Sequence, residues 1–217
     1  LELVDTRSGP QHSLLRALDR TCTPMGARRL RHWVLHPLRD LDALLERQEV
    51  IASFLEESML LSQVRTLLKE VRDLERTSGR LSQGSGNARD LLMLAQSLEV
   101  VPPLRTLLQT LLERAHPHPD DLSTLPARLL ASLHDLSGLS GEINDCIVPE
   151  PPIHIKEGGL FREGWNADLD ELRAASSLGR QWIADLQTRE IERTGIKSLK
   201  IKYNAVFGYF IEITKAN

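Results

Sequence analysis

The 217-residue sequence predicts a mainly α protein: a multi-helix core, one long helix, a small β-hairpin near 153–161 and a short antiparallel β segment at the C-terminus. Three observations carry that expectation. Leucine is abundant while aromatic residues make up only 4% of the chain, a composition that favours helix packed on helix. Between Asn166 and Arg193 there is no proline and one glycine, Gly179, and Leu169, Leu172, Leu178, Trp182, Ile183, Leu186 and Ile191 recur with helical spacing. After Arg193-Thr194-Gly195 the period changes to two: Leu199, Ile201 and Tyr203 alternate with Lys200, Lys202 and Asn204, a turn follows over 204–208, and Tyr209, Ile211 and Ile213 resume the alternation.

The remaining elements follow in order from breakers and caps. Leu1 to Thr6 reads as extended and Arg7-Ser8-Gly9-Pro10 as a break. Ser13 to Arg20 is a short helix. Thr23 is suited to cap the next one, with Pro24 at the first helical position, and that helix buries Leu30, Trp33 and Val34 while exposing Arg28, Arg29 and Arg31. His36-Pro37-Leu38 ends it. Asp40 opens a third helix with Leu44, Leu45, Val50, Ile51, Phe54 and Leu55 inward. Helices over 58–71 and 73–81 lead to a Gly-rich loop, and Asn87 caps a leucine-rich helix to Val100. Pro102-Pro103 interrupts, and a further helix runs to about Ala115. Alternating prolines make 116–119 a surface connection, Leu122 to Leu139 is helical after Pro126, and 147–152 is extended. Ile153 to Phe161 then reads as a hairpin with a Gly158-Gly159 turn, and Asn166 caps the long helix.

Composition bounds what such a chain can be. Its 41% hydrophobic and 26% charged residues are those of a globular protein able to bury a core. No apolar run approaches the roughly 18–20 residues that cross a bilayer, so no membrane partner is expected. The chain opens without a basic-then-apolar leader and has only Cys22 and Cys146, which together point to the cytoplasm. Residue 1 is not Met, and Asn217 follows a strand-like run with at most one neighbour; the expectation is an excised piece of a longer protein.

Catalytic and metal-binding patterns are missing. Gly195-Ile196-Lys197-Ser198 lacks the adjacent Gly-Lys pair and upstream glycine of a phosphate loop, and Gly84-Ser85-Gly86 reads as a flexible loop. His116 and His118 have no cysteine nearby to complete a metal site, and the carboxylate pairs Asp120-Asp121 and Glu56-Glu57 are adjacent and diverge on a helix. The chain is therefore expected to be no enzyme, with no cofactor and no metal of its own.

Charge singles out the C-terminal segment. From Arg193 to Asn217 the basic residues Arg193, Lys197, Lys200, Lys202 and Lys215 face only Glu212, a local balance of plus four in a chain of net charge −3. Lys200, Lys202 and Asn204 share one strand face, so all three can meet phosphates while Leu199, Ile201 and Tyr203 pack inward; Lys197 and Lys215 flank them. The competing reading is a solvated edge strand on which lysines block edge-to-edge pairing. The Arg28, Arg29, Arg31 and His32 cluster could also grip phosphate, but arginines so spaced more often pair with a neighbouring helix, here with Asp40, Asp42 and Glu46.

Two long stretches carry a resemblance. Thr23-Pro24-Met25-Gly26-Ala27-Arg28-Arg29-Leu30-Arg31-His32-Trp33-Val34-Leu35-His36-Pro37-Leu38, followed by Leu44-Leu45-Glu46-Arg47-Gln48, resembles the central motif of the MutS family of DNA mismatch-repair proteins. The run from Arg193 to Asn217 resembles the segment where that family's lever helix enters its DNA clamp, and Asp73-Leu74-Glu75-Arg76 and Lys156-Glu157-Gly158-Gly159 lie between in the expected order. Trp165 stands where the family pattern has Tyr, and 116–121 follows no family pattern. The resemblance implies a helical core and lever over 1–192 and the beginning of a clamp over 193–217. It further implies double-stranded DNA, a second copy in a homodimer and other mismatch-repair proteins as partners, with ATP and Mg bound elsewhere in the parent protein. The alternative is a helical protein-interaction scaffold that does not bind DNA.

Overall fold

The structure, a computed structural model, describes residues 2–5, 9–115 and 124–214. Expectations that fall on 1, 6–8, 116–123 and 215–217, including Lys215, the two histidines and the paired aspartates, lie outside the described residues. The chain divides into two compact units, Leu1–Arg162 and Glu163–Asn217.

The first unit is helical, and most of its helices start where a side chain takes up otherwise unbonded N–H groups. Ser13 caps α1 (Leu14–Leu18), and Thr23 accepts from Gly26 at 2.9 Å to start α2 (Pro24–Leu35). Asp40 accepts from Asp42 and Ala43 at the head of α3 (Leu41–Glu56), which α4 (Ser58–Glu70) follows. Asp73 caps α5 (Leu74–Ser82), and Asn87 forms a reciprocal box with Asp90 at the start of α6 (Ala88–Glu99). Then come α7 (Val101–Ala115), α8 (Leu125–Ser132) and α9 (Ser137–Cys146).

The core forms where α6 packs on α5 and α9 and where α7 packs on α4 and α8. Ala88, Ala95, Ile143 and Ile147 are buried together, flanked by Leu91, Leu92, Leu94 and Phe161, and Leu60, Val64, Leu111, Leu112 and Ala127 are buried on α4, α7 and α8. Ser97 sits fully buried, accepting the Arg72 N–H and donating to the Met93 carbonyl, both at 2.9 Å, so no polar atom is stranded.

Several expectations need correction. The break expected at Pro102 and Pro103 falls just before them, at Val100, which separates α6 from α7; the prolines occupy the first turn of α7, where an N–H would be unbonded. Taken together across Val100, the stretch Ala88–Ala115 is long and apolar enough to cross a membrane by length and composition, though charged residues interrupt it and both halves bury side chains in the core just described. The single helix expected over 122–139 is two, because the Asp135 carboxylate accepts the Ser137 N–H at 2.9 Å and starts a new helix that continues to Cys146. The hairpin expected near 153–161 does not form. Residues Ile155–Glu157 curl into a 3-10 turn closed by His154 and Glu157, and Phe161 bridges instead to Ile147, with Val148 N–H on Leu160 and Arg162 N–H on Cys146. Pro151 and Pro152 have no N–H to offer a ladder beside 153, so the returning chain pairs farther upstream.

On α3 the inward stripe is Ala43, Glu46, Arg47, Val50 and Phe54, whereas Leu44, Leu45, Ile51 and Leu55 are exposed. Trp33 is 40% exposed and is covered by guanidinium groups, Arg47 at 4.0 Å and Arg29 at 5.8 Å from its ring. Nor does Arg28 reach the acids of α3. It binds Asp73 through two bonds of 2.6 and 2.8 Å and Glu75 at 2.5 Å, tying α2 to the cap of α5, while Glu46 pairs with Arg128 of α8. The Arg28 guanidinium holds the Asp73 carboxyl down at about 2. A second pin, Arg80 on Asp90, joins α5 to α6 and keeps that buried carboxyl below its ordinary range.

The second unit consists of α10 (Ala167–Thr194), β1 (Lys200–Asn204) and β2 (Gly208–Glu212). Asn166 accepts the Leu169 N–H at 2.8 Å, Asp168 and Asp170 lie in the positive first turn, and Gly195 closes the helix at φ +71, the left-handed conformation glycine adopts without strain. No residue of this 28-residue helix is buried.

Candidate nucleic-acid interface

β1 and β2 pair antiparallel with Lys200 opposite Glu212, Lys202 opposite Phe210 and Asn204 opposite Gly208. Ala205, Val206 and Phe207 make the connection, and Gly208, the first residue of β2, enters the strand at φ +74, a left-handed conformation that glycine adopts without strain. Because side chains alternate, Lys200, Lys202 and Asn204 stand on one face with Phe210 and Glu212, and all five are exposed. The other face carries Ile201, Tyr203, Tyr209 and Ile211.

That second face meets α10. A groove is lined by Gly179, Trp182, Ile183 and Leu186 from the helix and by Ile201 and Tyr209 from the strands. Leu199, just before β1, is 3% exposed. Tyr203 does not pack inward as expected: it is 65% exposed, lies outside the groove and rests edge-on against Tyr209, with ring centroids 5.1 Å apart. The backbone is held as well, since Ile201 N–H donates to Gln187 Oε1 of α10 at 2.8 Å.

The cations of the segment differ in how free they are. Among the described residues Lys197 and Lys200 make no ion pair. Lys202 Nζ lies 2.5 Å from Glu212 Oε2, a diagonal cross-strand pair, so part of its charge is spent inside the hairpin. Arg193 pairs with Glu190 at 2.7 Å and holds that carboxyl below its ordinary range. Asn204 turns its carboxamide oxygen onto the Val206 N–H at 2.8 Å, which steadies the turn and leaves its NH₂ as the group able to meet a phosphate. Sequence reasoning set Glu212 against the lysines only as a charge; the pairing becomes legible once the register is known. Gln187 carried no sequence signal, being 14 residues from the strand it bonds.

Elsewhere, a cavity of about 450 Å³ in the first unit is lined by Leu81, Leu91, Ile143, Ile147 and Phe161, with Glu142 and Cys146 as its ionisable groups. Burial pushes the Cys146 thiol up, away from the thiolate a nucleophile needs. Among the described residues no cluster of three or more His, Cys, Asp or Glu could hold a metal ion.

Residues 1–213 match the family described as MutS domain III. The chain belongs to that family. It is 44% identical over 212 residues to the DNA mismatch repair protein MutS of Methanosarcina barkeri, covering 96% of the chain and 23% of the relative. The protein of the same name in Staphylococcus haemolyticus is 43% identical, with 94% of the chain and 22% of the relative covered. That of Halothermothrix orenii is 42% identical, with 100% and 23% covered. The chain thus spans less than a quarter of these relatives' length. As a MutS domain III, it explains two of its own motifs structurally: the Thr23–Leu38 stretch and Asp73–Arg76 meet through the Arg28–Asp73 pair.

Proposed function

We propose that this chain is the core and lever part, with the beginning of the clamp, of a DNA mismatch-repair ATPase, and that its own residues catalyse nothing. The hairpin touches the backbone of duplex DNA through Lys200, Lys202 and the Asn204 NH₂, and Lys197 and Lys215, which flank them in sequence, contribute as well. Such contacts carry no base sequence, as suits a clamp that closes on any DNA. On this reading core and lever run over 1–192 and the clamp begins at 193, a functional boundary inside the second compact unit, Glu163–Asn217, with α10 the lever that links the clamp to an ATPase domain of the longer protein. ATP and Mg are bound there, two copies embrace the duplex, other mismatch-repair proteins are partners, and the setting is the cytoplasm.

The observation that carries this reading is a solvent-facing row of Lys200, Lys202 and Asn204 in a chain whose relatives are named DNA mismatch repair protein MutS. Its test is the affinity of the full-length protein for mismatched and matched duplexes across a salt series. Two or three phosphate contacts on this hairpin contribute about two to three to the slope of log K against log salt. Affinity indifferent to salt would sink the DNA reading. It would favour an interaction scaffold, which the Lys202–Glu212 pair and the bare apolar tip, Val206 80% and Phe207 81% exposed, support.

A further inference from the structure

We propose that Gln187 is the positioning residue that sets β1 on α10 and so determines which face of the hairpin, lysine or aromatic, is turned away from the helix; the DNA half of this proposal rests on the reading above. In an antiparallel pair, alternate residues direct their backbone groups toward the partner strand and away from it. Ile201 is of the second kind, because its N–H donates to Gln187 Oε1 at 2.8 Å. On a two-stranded ribbon such an outward N–H ordinarily takes water.

Little else orients the strand. A two-stranded ribbon is marginal in water, and among the described residues of this unit Leu199 alone is buried. Ile201 and Tyr209 share an apolar groove with Ile183 and Leu186, and such apolar proximity imposes no direction. A hydrogen bond does impose one, since it weakens steeply when bent. Turning the ribbon over on the helix would put Lys200 and Lys202 into the groove in place of Ile201 and Tyr209 and would point the Ile201 N–H away from α10. The bond to Ile201 N–H selects the orientation in which both lysines face away from the helix.

The requirement at position 187 is chemical: an acceptor at the end of a side chain of this length. Glu supplies one, while Met matches the shape with only a weakly accepting sulfur. The test uses the full-length protein and its Gln187→Met and Gln187→Glu variants, with hydrogen exchange of the β1 segment and duplex affinity at several salt concentrations read in parallel. Exchange at Ile201 should quicken about tenfold in Gln187→Met and stay near the parent rate in Gln187→Glu, in keeping with the loss of one hydrogen bond. The Gln187→Met salt slope should flatten by about one to two as the lysines lose their alignment. Equal exchange in all three proteins overturns the proposal. Faster exchange with an unchanged slope refutes the positioning role even though the bond is real. Should the parent protein itself fail to bind duplex, the DNA reading falls, and the exchange comparison alone decides whether Gln187 holds the strand.

Discussion

α7 and α10 are both leucine-bearing helices, the apolar side chains gathered on one face in α7 and scattered among charges in α10, and they end in opposite environments. α7 has Leu111 and Leu112 at 1% exposure, whereas on α10 Leu172, Leu178 and Trp182 are 60–71% exposed. The difference teaches that a helix and its burial are decided separately. Caps and spacing are local and suffice to start and stop both helices. Burial needs a neighbour of complementary shape, which α4 and α8 supply for α7. Among the described residues of its own unit, the one element that α10 meets is the short hairpin.

The sharpest break of that comparison is a pair of leucine truncations. Leu111→Ala should cost about 3–5 kcal/mol in chemical denaturation, the usual loss for a buried leucine that leaves a cavity. Leu178→Ala, at a site 71% exposed, should stay within about 0.5 kcal/mol. Equal costs would show that α10 is buried in solution. A smaller effect is expected at Ser97, where Ala removes the acceptor of the Arg72 N–H and should cost about 1–3 kcal/mol.

The pin between α2 and α5 gives a dependence on pH. Asp73 titrates at about 2 when folded, below its ordinary 3.8. A depressed carboxyl favours the folded state above its ordinary value, and that contribution disappears as pH falls toward 2. Arg28→Met should therefore be less stable than the parent at pH 5–7, with the gap closing on acidification from 4 to 2. A gap that is constant over that range would mean the pair is not formed. The smallest effect is at the hairpin: Glu212→Gln releases Lys202 and should raise duplex affinity modestly at low salt, by up to about fivefold, an exposed pair being weak. Reduced affinity would mean that Glu212 aligns the lysine rather than occupying it.

Local chemistry explains what could be read in advance. Thr23, Asp40, Asn87 and Asn166 each announce a helix, and each caps one. The switch to period two after Gly195 announces β1 and β2 with the turn between them. What sequence hides is partner choice over distance. Arg28 pairs with acids 45 and 47 residues away in place of the nearer Asp40, Asp42 and Glu46. The 153–161 segment had the glycines of a hairpin, but its last residue paired upstream of two prolines. At the hairpin, alternation told which residues share a face; Gln187 and the Lys202–Glu212 pair required the register and the helix alongside.

The most direct measurement sets the two units against each other by charge. Full-length protein carrying Lys200→Gln and Lys202→Gln is compared with one carrying Lys69→Gln, an exposed lysine of α4, in duplex binding over a range of salt. The hairpin variant should lose about two from the slope of log K against log salt, while the α4 variant keeps the parent slope. Matching slopes in all three proteins would contradict contact between this strand face and DNA.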